Sequence, residues 1–405
     1  MFLIISCLQD MVEGEKKIFI LFVCLKWSNK RKENQISNLM KVDPFLIFSI
    51  LGLMIIIPIG FSIDYKPYES CCKSPPTLYL YDDISNGSSL QFSNFVSKAK
   101  KSLFIVSRTL FPIDPDYERW ILPLKNAVDR GVKVKILTNQ IALQEKIPFV
   151  DLVVVPNTIQ HFFVSFAIAD EMRFIYTSQL FGNFSSVLAD YFLEFNDCKS
   201  IVADAIAIFN FFVDFASNPN ISVYPHNYCP GFHYPMLHTT PQGSQIVFGI
   251  SPNRFVSPGR QSIVSLVRSF FNASHQTIDV FTPSLFPESI RSEDNLPELV
   301  MSDQIENSVV SGNCSIRILM SLNEFNSRAN LTMSLKKVPN IYMKFSKTEP
   351  ISPSFYVKNE ECLFMPMSFE SAISFEIMSI AVKIKDPSIV LKVKKHFKEI
   401  WDQSL

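Results

Sequence analysis

Histidine, glycine and any excess of charge are what this chain has least of. Its 405 residues include 6 histidines and 11 glycines, and 38 lysines and arginines balance 38 aspartates and glutamates. Balanced charge without strong basic clustering leaves no electrostatic footprint for nucleic acid. No Cys-x-x-Cys or His-x-x-x-His spacing occurs, so no metal centre is expected, and no motif calls for a cofactor. Few glycines beside 37 phenylalanines exclude a disordered or low-complexity chain and indicate an aromatic-rich globular protein.

One long stretch lacks charge altogether. Residues 44–63, PFLIFSILGLMIIIPIGFSI, are as long as the helix that crosses a bilayer of ~30 Å. Lys26, Lys30, Arg31, Lys32 and Lys41 precede it, which places the N-terminal tail, 1–43, in the cytosol and all that follows in a lumen or outside the cell. This is a single-pass type II signal-anchor arrangement, at the endoplasmic reticulum, the endolysosomal system or the cell surface. The run from Met40 also has the parts of a signal peptide cleaved near Ser62, which would release a secreted protein. Both arrangements export the rest of the chain.

Two features agree with export. Six glycosylation sequons follow the apolar run, at Asn86, Asn183, Asn220, Asn272, Asn313 and Asn330. Cys71, Cys72, Cys198, Cys229, Cys314 and Cys362 form an even set of disulfide candidates, and six cysteines allow fifteen pairings among which sequence does not choose.

Beyond a stalk, 64–77, the pattern alternates strand and helix. SLFIVSRTLF (102–111) reads as a strand, Asp114–Pro115 as a helix start, and YERWILPLKNAVDRG as a helix kinked at Pro123 and stopped by Gly131; VKVKILT follows as a strand. Two strands joined by a helical crossover lie parallel in one sheet. The arrangement then recurs. TIDVFTPSLFP (277–287) echoes SLFIVSRTLFP (102–112), and CSIRILMS (314–321) echoes VKVKILTN (132–139). Each half continues with a strand–turn–strand unit, FVSFAIADEMRFIYTS and SFYVKNEECLFMPM, and ends in an aromatic helix. The expectation is an internal duplication of two α/β domains, 78–217 and 244–405, joined by a linker at 218–243. The last helix sets Val393, Phe397, Ile400 and Trp401 against Lys392, Lys394, Lys395 and Lys398, a core-facing stripe with a solvated basic face.

From about residue 70 onward the chain resembles the phospholipase D superfamily, in particular its lumenal type II membrane branch with poxvirus relatives. The resemblance rests on ESCCKSPPTLYLYDDISNGSSLQF, RGVKVKILTN, TTPQGSQIVFGISPNRF and the closing FKEIWDQS, in that order, together with the duplication. It implies two fused α/β sandwich domains and one His-x-Lys-x4-Asp motif from each half. One histidine attacks phosphorus, the other protonates the leaving oxygen, and the lysines neutralise the phosphate oxygens.

Those residues are missing here. With Asp170 taken as the motif aspartate, Phe163 stands at the histidine and Ser165 at the lysine; with His161 taken as the histidine, Phe163 and Ile168 stand at the lysine and aspartate. In the second half Ser352, Ser354 and Asn359 occupy the three positions. The resemblance therefore implies a catalytically inactive member with vestigial positions His161, Ser165, Asp170, Ser352, Ser354 and Asn359, acting on a phosphate-bearing ligand or a protein partner, as a monomer or homo-oligomer. The rival is a phosphodiesterase of phospholipase or single-strand exonuclease type, with a non-standard site combining His161 with His226, His233 or His238. His275 carries no motif, and His396 lies in the basic terminal helix.

Overall fold

The structure, a computed structural model, describes residues 72–81, 87–107, 116–138, 147–155, 161–177, 190–217, 237–251, 262–271, 276–283, 309, 314–322, 333, 335–346, 354–365 and 377–405. The apolar run 44–63 and all six sequons lie outside the described residues, as do Cys71, Cys229, Ser352, His226, His233 and His275. Among the described residues no helix is long and apolar enough to cross a membrane. Residues Pro67–Leu405 group into one unit by their contacts.

The first half contains β1 (Thr77–Tyr81), α1 (Gly87–Ser97), β2 (Ser102–Ser107), α2 (Asp116–Asp129), β3 (Lys133–Thr138), β4 (Asp151–Val154), β5 (His161–Phe163), β6 (Ser165–Ala169), β7 (Arg173–Thr177), β8 (Asp190–Asn196) and α3 (Lys199–Ser217). In the second half follow β9 (Leu237–Thr239), β10 (Gln245–Ser251), α4 (Ile263–Phe271), β11 (Thr277–Phe281), β12 (Ser315–Ser321), β13 (Ile341–Ser346), β14 (Ser354–Val357), β15 (Cys362–Met365), β16 (Ile377–Lys385) and α5 (Pro387–Gln403).

The first sheet runs β1-β8-β7-β6-β2-β3-β4, and the second runs β13-β12-β11-β14-β15-β16-β10-β9. Read from β1 in one and from β10 in the other, the seven shared strands come in the same order and connectivity. The duplication read from the sequence is therefore present in the topology, with β9 added at the edge of the second sheet. β2 pairs with β3, and β11 with β12, in parallel, as a crossover connection requires. One strand breaks the symmetry. β5 belongs by sequence to the first half but pairs in parallel with β16 of the second sheet, His161 opposite Ile377 and Phe163 opposite Ser379. The chain passes Val164 and returns to the first sheet as β6, so one short segment stitches the halves together.

Alternation of side chains along each strand builds three layers of core. Leu103, Ile105, Ile136, Ala167 and Ile175 face α1 and α2, with Phe92 and Trp120 over them. On the second sheet Ile278, Val280, Ile316, Ile318 and Tyr356 face α4. The remaining faces of the two sheets merge with α3 and α5 in a shared centre that includes Phe166, Phe174, Tyr176, Tyr191, Phe248, Phe355 and Phe364. Burial of both faces explains why β2 reads as a near-continuous apolar run rather than an alternating one. The glycine at position 249 lets α4 approach closely, since a Cβ there would stand 2.5 Å from Leu266 Cδ1.

Helix ends follow local rules. α2 runs through Pro123 without ending, and Gly131, at φ 84°, closes it: its N–H donates to Val128 O at 2.8 Å and the next N–H, of Val132, to Ala127 O at 3.0 Å. α5 starts on Asp386, whose carboxylate accepts from the backbone N–H groups of Ser388 and Ile389, with Pro387 in the first turn. Ile389, Val390, Val393, Phe397 and Ile400 face inward while Lys392, Lys395 and Lys398 are exposed, the core-facing arrangement expected for this helix.

Of the disulfide candidates, Cys72 is bonded to Cys198, joining the entry to β1 with the start of α3. Two other members of the candidate set, Cys314 and Cys362, are not joined to each other. Both are buried, but Cys314 belongs to the core under α4 and Cys362 to the shared centre, on opposite faces of the second sheet, where their sulfurs cannot meet. Burial pushes the Cys362 thiol well above its ordinary value, so it remains protonated.

Candidate functional site

The sequence points to two places, the first residues of β6 and of β14. Both are serines, both are buried, and both lie beside the C-terminal end of a parallel strand, where open α/β sheets place their ligands. Ser165 pairs in register with Ser107, the last residue of β2, and Ser107 pairs with Thr138, the last of β3. Extending the β6–β7 register by one step sets Thr177 opposite Ser165. Four buried hydroxyls therefore form one row across the end of the first sheet. In the second half Ser354 and Thr282, the residue after β11, hydrogen-bond through their hydroxyls at 2.9 Å, and both are fully buried. Ser321, Ser346 and Ser379 are buried at the ends of neighbouring strands.

These rows contain hydroxyls and, among the described residues, no cation. A serine hydroxyl is a weak nucleophile without an adjacent base, and it supplies no charge to a phosphate. Nor do Ser165 and Ser354 converge on the shared centre. By alternation Ser165 shares its face with Ala167 under α1 and α2, and Ser354 shares its face with Tyr356 under α4. What meets between the halves is aromatic. The Tyr176 hydroxyl donates to Ile380 O at 2.7 Å and lies 3.4 Å from Phe364 O, and its ring stacks on Tyr191, which meets Phe364 edge-on. Burial drives the Tyr176 phenol far above its ordinary pKa, so it serves as a donor throughout the working pH range. Tyr176→Phe is expected to lower stability by about 1–2 kcal/mol, because the buried Ile380 carbonyl loses its donor while the packing is kept. A urea titration of the variant reads this directly.

Asp170 and Asn359 have structural work. Asp170 and Glu171 turn the β6–β7 hairpin, both at positive φ (56° and 57°). The Asp170 carboxylate accepts from the backbone N–H groups of Lys100, Lys101 and Ser102 at 2.6–3.1 Å and lies 3.9 Å from the Arg173 guanidinium. Burial opposes its charge, but the three N–H groups and Arg173 outweigh that cost and hold its pKa below the ordinary 3.8. Asn359 occupies the equivalent turn after β14, is exposed, and accepts from Lys394 Nζ on α5 at 3.2 Å. Both turns are separated from Ser165 and Ser354 by five residues of strand and turn, roughly 16 Å if extended. His161 opens β5, and its backbone lies in the second sheet.

Several buried polar pairings were not read from the sequence. His238, on β9, meets Asp204 of α3 at 2.8 Å, with both side chains buried, which ties the edge of the second sheet to the first half. The His238 ring is thereby held by an acidic partner from the first half. A lone aspartate in the apolar run ADAIAIFNFF is the signal that could have flagged the pair. Arg317 holds the buried Asp279 through two bonds of 2.7 and 2.9 Å and lies over the rings of Phe397 and Trp401. The buried Lys358 bonds Phe270 O at the end of α4 and pairs with Glu361 at 2.6 Å, which accounts for its charge structurally. Among the described residues no group of three or more histidine, cysteine or acidic side chains could hold a metal ion.

No protein-family model and no curated protein sequence matches this chain. Solved structures do. Phosphatidylserine synthase from Haemophilus influenzae Rd KW20 matches over 81% of this chain and 86% of its own, with a TM-score of 0.60 at 10% identity. Polyphosphate kinase from Porphyromonas gingivalis matches over 81% of this chain and 47% of its own, so this chain spans about half of that enzyme; the TM-score is 0.52 at 10% identity. Nuc from Salmonella typhimurium, a phospholipase D family member, aligns over 40% of this chain and 97% of its own at 14% identity, with a TM-score of 0.32, below the level at which likeness of fold is argued. At such identities the likeness concerns architecture and not activity. With its two matching sheets, this chain has the duplicated phospholipase-D-like α/β fold.

Proposed function

We propose that this chain is a phospholipase-D-like glycoprotein, held at a membrane by residues 44–63, that has lost phosphohistidine chemistry and acts by binding. One observation carries the reading. The positions at which each half of such a fold supplies a lysine to phosphate hold Ser165 and Ser354, buried hydroxyls on separate faces, one of them bonded to Thr282. Covalent phosphoryl transfer needs a nucleophilic histidine, a second histidine as acid and cations for the developing charge, and a hydroxyl row replaces none of them. What remains is a rigid two-sheet scaffold suited to a phosphate-bearing ligand or a protein partner.

The full-length chain in detergent is expected to hydrolyse bis(p-nitrophenyl) phosphate, single-stranded oligonucleotide and phosphatidylcholine no faster than its His161→Ala variant. Turnover in the parent that disappears in that variant would sink the proposal. Calorimetry with nucleotides, oligonucleotides and phospholipid headgroups separates ligand binding from protein binding.

A second reading, a phosphodiesterase with a non-standard site, is favoured by the course of β5. His161 is the one histidine of either motif region, and its strand crosses into the other half's sheet beside Ile377.

A further inference from the structure

A groove between β1 and α5 lies apart from the strand-end hydroxyls. β1 ends the first sheet, and among the described residues no strand pairs with its outer edge. Leu78, Tyr79 and Leu80 form one wall of the groove, Lys392, Lys395, His396 and Glu399 the other, around a volume of about 380 Å³. Successive strand residues send side chains to opposite faces, so a groove touching three in a row reaches the backbone edge itself. In an antiparallel ladder each residue turns its N–H and C=O to the same neighbour, and alternate residues turn them outward. The Lys392 ammonium, 3.4 Å from Leu78 O, identifies Leu78, and with it Leu80, as the residues whose backbone faces away from β8.

We propose that this edge takes an acidic, extended segment of a partner protein, added as one more strand beside β1. The backbone of Leu78 and Leu80 supplies the ladder bonds, and α5 supplies the charge. Lys392 and Lys395 are three residues apart on one helix face, with Cβ atoms about 5–6 Å apart. Alternate residues on one face of a strand are about 6–7 Å apart, so two carboxylates at i and i+2 of the added strand meet the two ammoniums. Among the described residues Glu399 is the only acid lining the groove, and at 3.8 Å it neutralises Lys395 only in part because both are exposed.

A second copy of this chain fits poorly. Pairing β1 with its own copy about a two-fold axis normal to the sheet would place both α5 helices on one face, with four lysines across a single groove. The proposal deepens the binding role above, and the titration that tests it reads no turnover, so the two stand or fall separately.

The test is a fluorescence anisotropy titration of the full-length chain with a labelled hexapeptide of alternating Glu and Val. Saturable binding is expected, weakened about tenfold by Lys392→Glu with Lys395→Glu and regained by a peptide carrying Lys in place of Glu. N-methylation of alternate peptide amides, which removes ladder donors and leaves the charge, is expected to abolish it. Lys395→Glu alone disturbs no bond to β1, and it keeps the test if the double variant does not fold. The proposal fails if the acidic peptide does not saturate, or if N-methylation leaves binding unchanged. It fails equally if the two lysines instead govern self-association in sedimentation, or attachment to phosphatidylserine vesicles without peptide binding.

Discussion

Replacing Cys72 and Cys198 together by serine is expected to destabilise the chain by about 4–5 kcal/mol, the chain-entropy value for a loop of this length. The bond closes 126 residues, so it removes from the unfolded ensemble most of the freedom of the first half. Its position makes the loss local as well. β1 is five residues long, pairs only with β8 among the described strands, and begins a few residues after Cys72. Without the bond, Thr77 and Tyr79, whose backbone faces β8, should be the first to lose protection from hydrogen exchange. Urea unfolding of parent and variant under oxidising conditions gives the global figure, and exchange at β1 gives the local one. A variant within 1 kcal/mol of the parent would mean that packing alone holds this edge.

Asp170→Ala is expected to cost about 3 kcal/mol. The substitution leaves three backbone N–H groups, of Lys100, Lys101 and Ser102, without their shared carboxylate, and it puts an alanine at φ 56° where aspartate is better tolerated. Asp170→Asn keeps an acceptor and the tolerance of positive φ, so roughly half of that loss is expected. The same residue makes a pH prediction. Its folded pKa lies below the unfolded value near 3.8, so its contribution is complete above that value and is lost as pH falls through the folded pKa. The parent should therefore lose stability below about pH 4 more steeply than Asp170→Asn does, read as unfolding free energy against pH. Parallel acid limbs for the two proteins would refute the clamp. Either variant is expected to leave the hydroxyl rows intact, which separates this turn from any chemistry at Ser165.

Much of the architecture was legible because it is written in local patterns. Apolar runs bounded by turn residues marked β2, β3, β11 and β12, and their recurrence marked the duplication. Gly131 marked the end of α2, because only a residue at ease with positive φ closes a helix in that way.

The site was legible only by subtraction. Sequence named the residues at the two motif positions, and the structure gives the surroundings of Ser165 and Ser354. The crossing of β5 into the second sheet had no signal, since a three-residue strand carries too little periodicity to declare its partner. Tyr176 reads as an ordinary strand residue until its hydroxyl is found on Ile380 O, 204 positions away. The Asp204–His238 pair is equally silent along the chain, because neither member is near the other in sequence.

Sequence by itself determined that this chain is duplicated, and it raised the expectations of export and of lost phosphohistidine chemistry on which the proposed function rests. Those properties depend on residue identity and on periodicity over a few turns of chain. Tertiary structure alone decided that Cys72 bonds Cys198, that Asp170 clamps three backbone N–H groups, that Ser165 and Ser354 lie on separate faces, and that among the described residues no strand pairs with the outer edge of β1 beside α5. Each of these depends on groups brought together from far apart along the chain, and such contacts are a property of the packed fold rather than of any local pattern.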